Sequence, residues 1–194
     1  MDLGCGEGRI SRELTDLGWR VTASDIVPTM LEAAQQALSA KNYLLADAAD
    51  LPVTDNQFDL VVAYNMLMDV EDVPGTVREI ARVLKPRGHA IVSLVHPFVD
   101  RGRFAGKDVD APFVVEGSYF GRERFEGSET RNGLTMDFAG WSQPLEAYAE
   151  AFTQAGLAIT GLREPRPAIA PNLPPDMARW QRLPLFLWLK LVRL

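Results

Sequence analysis

Met1-Asp2-Leu3-Gly4-Cys5-Gly6-Glu7-Gly8-Arg9 opens the chain and reads as the end of a strand running into a glycine-rich turn. An apolar residue, a carboxylate and a G-x-G-x-G loop before a helix-type pattern describe a backbone that turns sharply and leaves room for a ligand at a strand's carboxyl end. Outward from it, Ile10, Leu14 and Leu17 recur at helical spacing, and Gly18 stands where a helix ends in a left-handed residue. Residues 20–24 are short and partly β-branched, a second strand that delivers Asp25 at its tip. Pro28 suits a first helical position, and Met30, Leu31, Ala34, Ala37 and Leu38 continue as a second helix.

The same rhythm repeats downstream. Residues 42–46 form a third strand ending at Asp47, and 58–63 a fourth that opens into Tyr64 and Asn65. Asp72 and Pro74 start a helix with Val77, Ile80, Ala81 and Leu84 on one face, ended by Pro86 and Gly88, and residues 90–95 are a fifth strand closed by His96. From 98 to 143 the periodicity breaks into glycines, charges and isolated aromatics, too long for a plain connection, so a cap or lid of short strands is expected. A helix after Pro144 and two strands at 157–162 and 185–192, joined by the proline-rich 165–175, complete the chain. The expected fold is α/β, a Rossmann-like doubly wound and mostly parallel sheet. It carries an antiparallel C-terminal edge hairpin and a cap insertion at 98–143, all within a single domain over 1–194.

Composition narrows the function. At 194 residues and 47% hydrophobic content the chain can bury one sizeable core. A net charge of −6 and a pI near 5.0 argue against nucleic acid or an anionic membrane as partner. Cys5 is the single cysteine, so there is no internal disulfide; no metal site is expected, and a cytoplasmic location is the default. The apolar run 183–194 is too short to span a bilayer and carries Lys190 and Arg193; it reads as a buried final strand, with a membrane-surface segment as the alternative.

The strand tips place Gly4 to Gly8, Asp25, Asp47 and Tyr64–Asn65 on one rim. Asp25 suits ribose hydroxyls or an N-cap; Asp47 suits an exocyclic amino group or a loop cap. With the glycine loop, they meet the needs of one adenosine-containing ligand.

The runs D-L-G-C-G-E-G-R, A-S-D-I, A-D-A-A-D-L-P-V, F-D-L-V-V-A-Y-N-M-L and E-I-A-R-V-L-K-P-R-G-H together resemble class I S-adenosylmethionine-dependent methyltransferases of the small-molecule type. The likeness covers about residues 1–97 with specific motifs and the remainder more loosely. It implies S-adenosyl-L-methionine as cofactor, with Gly4, Cys5 and Gly6 as loop contacts and Asp2 supporting the turn. Asp25 becomes the ribose ligand, Ile26 and Met30 pack around adenine, Asp47 and Ala48 meet its edge, and Tyr64 and Asn65 form the floor near the sulfonium.

Methyl transfer is accelerated mainly by alignment and exclusion of water, with a base needed only where the nucleophile must lose a proton. His96 is the candidate base because histidine titrates near neutral pH. Asp69, Arg122 and Arg124 are further candidates for the substrate cavity, although Arg122-Glu123-Arg124 also reads as a solvated face, and the cap aromatics read either as cavity walls or as a small core inside the lid.

The family usually has a full first strand and an N-terminal segment before the glycine loop. Expected here are a more open pocket, weak cofactor affinity, and a homo-oligomer that completes the sheet; the other partner is a small-molecule substrate. Two other functions stay open. A nicotinamide-dependent oxidoreductase would use the same loop and Asp25, although its fingerprint wants G-x-G-x-x-G; the other is a non-catalytic methyltransferase-like binding or assembly protein.

Overall fold

The computed structural model describes residues 1–131, 134–168 and 173–194. Seven strands form one sheet in the order β10-β11-β5-β4-β1-β2-β3. They are β1 (Asp2–Leu3), β2 (Thr22–Asp25), β3 (Asn42–Leu45), β4 (Phe58–Tyr64), β5 (Leu84–Val95), β10 (Leu157–Arg163) and β11 (Phe186–Arg193). The first five run parallel, while β11 is antiparallel to both β5 and β10. The closing hairpin is therefore the edge expected from the sequence, with β11 inside and β10 outermost.

β1 is two residues long yet occupies the centre. Asp2 pairs with Ala23 on one side and Val62 on the other, and Leu3 with Ser24 and Ala63. Met1 continues the pairing: its amino group donates to the Leu60 carbonyl at 2.7 Å, and its carbonyl accepts from the Val62 N–H at 2.9 Å.

From β1 the chain winds outward to β2 and β3, then returns to β4 and β5 on the opposite side. Right-handed crossovers in opposite directions put α1 (Arg9–Asp16) and α2 (Pro28–Gln36) on one face and α3 (Val73–Val83) on the other. The order reverses between β1 and β4, and there the strand tips part to leave a crevice. The main core packs Val77 and Ile80 of α3 and Phe152 of α4 (Leu145–Gln154) against Leu3, Val61, Val92 and Leu189 of the sheet. A smaller cluster of Cys5, Ala23, Leu31 and Ala34 lies under α2.

Local expectations were altered by packing at three places. Leu17 is 76% exposed and Leu38 85% exposed, because α1 stops at Asp16 and α2 at Gln36, so neither side chain belongs to a buried helix face. α3 does not run on to Pro86. It passes at Leu84 straight into β5, whose early part still turns at Lys85–Gly88, with Arg87 left-handed at φ +64°.

Residues 98–143 hold two hairpins. β6 (Gly102–Phe104) pairs with β7 (Phe113–Val115), and β8 (Glu123–Arg131) with β9 (Leu134–Ser142). Phe104 and Phe113 meet edge to face at 5.2 Å, and Phe104 meets Trp180 at 4.9 Å, so these aromatics form a small core of their own. A short helix, α5 (Pro175–Ala178), precedes Trp180; residues 169–172 of the proline-rich stretch lie outside the described residues.

Candidate functional site

The glycine loop is shaped by contact on one side and openness on the other. Gly4 has φ +68°, and a Cβ there would sit 2.8 Å from the Met66 Cβ, so only glycine lets β1 pass under the β4 tip. Gly6, at φ +53°, faces open space, and its N–H donates to Asp25 Oδ2 at 2.8 Å. Asp25 Oδ1 accepts from the Val27 N–H at 2.9 Å. One carboxylate thus ties the glycine loop to the start of α2, and each oxygen keeps a lone pair for a further donor.

A cleft of about 580 Å³ opens beside this loop. Gly4, Gly6, Asp25, Ile26, Met30, Asp47, Ala48 and Asn65 all line it, joined by Val27, Met66 and the turn from Asp69 to Asp72. Asp47 Oδ1 accepts from the Ala49 N–H at 2.9 Å, which folds the third strand's tip into a tight turn and leaves Oδ2 without a partner among the described residues. That wall is held from behind, since Leu51 N–H donates to Glu79 and Arg82 bonds Glu79, Asp55 and the Val53 carbonyl. The Arg82 guanidinium holds the Glu79 carboxyl below its usual range.

Asn65 takes a left-handed turn at φ +49°, a conformation asparagine tolerates better than most residues. Its N–H donates to the Ser93 carbonyl at 2.8 Å and its Oδ1 accepts from the Ser93 hydroxyl at 2.6 Å. The β4 tip is thereby locked to β5.

Tyr64, one residue earlier, falls on the other side of the loop. It lines a smaller cavity of about 210 Å³ with Asp2, Gly4, Cys5, Gly6, Glu7, Arg9 and Ile10, and the Arg9 guanidinium lies 4.8 Å from its ring centroid. Asp2 is 1% exposed; Oδ2 accepts from the Ser11 hydroxyl at 2.6 Å, while Oδ1 has no partner among the described residues. Burial raises the Asp2 pKa, against the Ser11 hydrogen bond. Burial and the charges of Asp2 and Asp25 push the Cys5 thiol up to about 12, so Cys5 contributes backbone and packing, with no thiolate chemistry near neutral pH.

His96 does not line the cleft. Its Nε2 lies 3.3 Å from Glu164, its ring packs 4.6 Å from that of Phe98, and burial lowers its pKa despite Glu164. The sequence placed it at the fifth strand's tip, where it stands, but could not show which way the ring turns. Arg124 pairs with Glu126 on the exposed hairpin, whereas Arg122 lies 3.7 Å over the Trp141 ring and donates to the Glu71 carbonyl. Trp141 N–H donates to the Met68 carbonyl at 2.7 Å, so β9 is stitched to the turn after β4 beside the cleft. Glu71, Asp72 and Thr76 also line the cleft; in sequence Asp72 reads only as the start of α3, and an acidic turn with a threonine one turn into the helix looks like ordinary helix-start chemistry.

Residues 1–92 match the family model of a methyltransferase domain. The chain is 26% identical to an S-adenosylmethionine-dependent methyltransferase from Mesorhizobium loti, with a TM-score of 0.78 over 99% of this chain and 89% of that one. The chain belongs to the class I S-adenosylmethionine-dependent methyltransferases. Among curated relatives, the malonyl-[acyl-carrier protein] O-methyltransferase of Serratia marcescens is 37% identical over 93 residues, 48% of this chain and 36% of that protein. YqeM of Bacillus subtilis is 33% identical over 162 residues, 76% of this chain and 62% of that protein. The chain thus spans between about a third and three-fifths of the length of these relatives. Among the described residues no helix is long and apolar enough to cross a membrane, and no group of three His, Cys, Asp or Glu side chains could hold a metal ion.

Proposed function

We propose that this chain transfers a methyl group from S-adenosyl-L-methionine to a small-molecule acceptor, with residues 98–143 serving as the lid over the acceptor. The observation that carries this reading is the single cleft that gathers the glycine loop, Asp25, Asp47 and the β4 tip at the point where the strand order reverses. Its volume, about 580 Å³, suits a nucleoside-sized ligand.

The cofactor supplies an electrophilic methyl group on a positively charged sulfur. Asp25 would accept from ribose hydroxyls through its free lone pairs, Asp47 Oδ2 and the Ala48 backbone would meet the adenine edge, and Ile26 and Met30 would cover the ring. The amino-acid end of the cofactor would lie over Gly4, Cys5 and Gly6, beside Tyr64, with Asp2 supporting the turn through Ser11. Asn65 forms the floor between the two ends. His96, turned to Glu164 and outside the cleft lining, would hold the β5 tip. The single buried cysteine suits a cytoplasmic setting.

Thermal unfolding with S-adenosylhomocysteine or NAD tests this reading. Protection by S-adenosylhomocysteine alone is expected, together with at least a tenfold loss of its affinity in Asp25→Ala. Protection by NAD alone would assign the cleft to a nicotinamide cofactor.

A further inference from the structure

One wall of the cleft is not held by the sheet. Residues 66–71 form an arc between two fixed points: Asn65, locked to Ser93 of β5, and Asp72, which caps α3 by accepting from the Gly75 N–H at 2.8 Å. Met66, Asp69, Val70 and Glu71 of this arc line the cleft. Within it, the Asp69 N–H closes a turn on the Met66 carbonyl at 3.0 Å. Among the described residues, the hydrogen bonds that tie 66–71 to other parts of the chain come from the lid.

Two contacts make that tie. The Trp141 N–H of β9 donates to the Met68 carbonyl at 2.7 Å, and Arg122, just before β8, donates to the Glu71 carbonyl. They are joined through the ring, since the Arg122 guanidinium lies 3.7 Å over Trp141. The lid backbone comes this close because Gly140 has no side chain; a Cβ there would lie 3.0 Å from the Met68 carbonyl oxygen and 3.2 Å from Asp69 Oδ1. A guanidinium suits the place. It stacks flat on an aromatic ring while its edge N–H groups stay free to donate, and the stack limits the freedom lost when an exposed side chain is pinned. The neighbouring arginines hold the lid to itself: Arg124 pairs with Glu126, and Arg101 bonds Glu123 and the Gly121 and Ser142 carbonyls.

A contact shared by lid and cleft wall links events at the two places, and the linkage is reciprocal. We propose that Arg122 is a positioning residue that couples the lid to the cofactor cleft: stacked on Trp141, it holds the Glu71 carbonyl, so that a ligand filling the cleft steadies the arc and, through it, the β8–β9 hairpin. Arg122 itself touches neither cofactor nor acceptor, and its effect runs through the wall. The inference rests on reading the cleft as the cofactor site and residues 98–143 as the lid.

The test is amide hydrogen exchange at residues 123–128 and 137–142, with and without saturating S-adenosylhomocysteine, beside the affinity of that ligand by calorimetry. In the wild type the ligand should slow exchange at these amides by at least about fivefold. In Arg122→Ala its affinity should fall at least about threefold, and the slowing should drop below about twofold. Arg101→Ala separates coupling from plain support of the hairpin: exchange there speeds up without ligand, while affinity stays within about twofold and the slowing persists. Arg122 is exposed, so the alanine variant is expected to fold; should circular dichroism show otherwise, Arg122→Gln is measured in its place. Slowing of less than fivefold in the wild type, an affinity within threefold or slowing of twofold or more in the Arg122 variant, or loss of either in Arg101→Ala overturns the coupling. Failure of the wild type to bind S-adenosylhomocysteine overturns the cofactor reading itself, and the coupling with it.

Discussion

The two halves of the cleft are built differently. On the cofactor side, Asp25 and Asp47 stand at or just past strand tips and accept from backbone N–H groups: Asp25 from Gly6 and Val27, Asp47 from Ala49. On the lid side, Asp69, Asp100 and Tyr148 come from three distant elements, and the two carboxylates have no hydrogen-bond partners among the described residues. Asp25 and Asp47 are anchored by backbone before any ligand arrives; Asp69 and Asp100 are not. The contrast teaches where each kind of recognition belongs. A ligand part common to a whole family is met by preorganised backbone turns, and the variable partner is met by side chains that the tertiary structure converges.

Four measurements would break or sharpen that comparison. The largest effect is expected from Phe152→Ala. Phe152 is fully buried in the core cluster that also contains Leu3 and Leu189, so its loss should cost about 4 kcal/mol and lower stability in one cooperative urea transition. Separate transitions by tryptophan fluorescence and far-UV circular dichroism would instead show that the halves fold apart.

Next is Gly4→Val, which must accept both a left-handed φ and contact with Met66. A loss of about 3 kcal/mol is expected, with binding of S-adenosylhomocysteine lost. Arg101→Ala should act the other way. It removes the hydrogen bonds to Glu123, Gly121 and Ser142, costs about 2 kcal/mol, and speeds amide exchange in β8 and β9 while leaving S-adenosylhomocysteine affinity unchanged within twofold.

The smallest effect is a pH dependence. Asp69 and Asp100 titrate near 6 in the folded chain, above the usual carboxyl value, so the native state binds more protons than the unfolded state between about pH 4 and 6. Their contribution to stability is therefore fully present below about pH 4 and is lost as pH rises through 6. In urea titrations Asp69→Asn/Asp100→Asn should be more stable than the wild type at pH 7.5, and the gap should close by pH 4.

Much of the cofactor side is legible in sequence because its information is local. Strand, turn and carboxylate recur within about five residues at Asp2–Gly6, Ser24–Asp25 and Ala46–Asp47, and the turn chemistry at each is a matter of neighbouring residues. What the sequence leaves open on that side is direction. β4 ends at Tyr64 and Asn65 turns left-handed at φ +49°, so the two neighbours line different cavities. His96 stands where expected and turns its ring to Glu164 because the β10–β11 edge, absent from the local sequence, offers a partner there. The lid was less legible: its aromatics pair with Trp180, 67 residues or more along the chain, and no periodicity records that contact.

By itself the sequence determined the parallel αβ rhythm, the closing hairpin, and a glycine turn flanked by strand-tip carboxylates, because hydrophobic period, turn residues and capping all act over a few residues. Only the tertiary structure decided that a two-residue β1 is paired on both sides at the centre of the sheet. It alone joined Asp69, Asp100 and Tyr148, since bringing β4, β5 and α4 to one rim is a property of strand order and crossover handedness, which no local stretch of chain encodes.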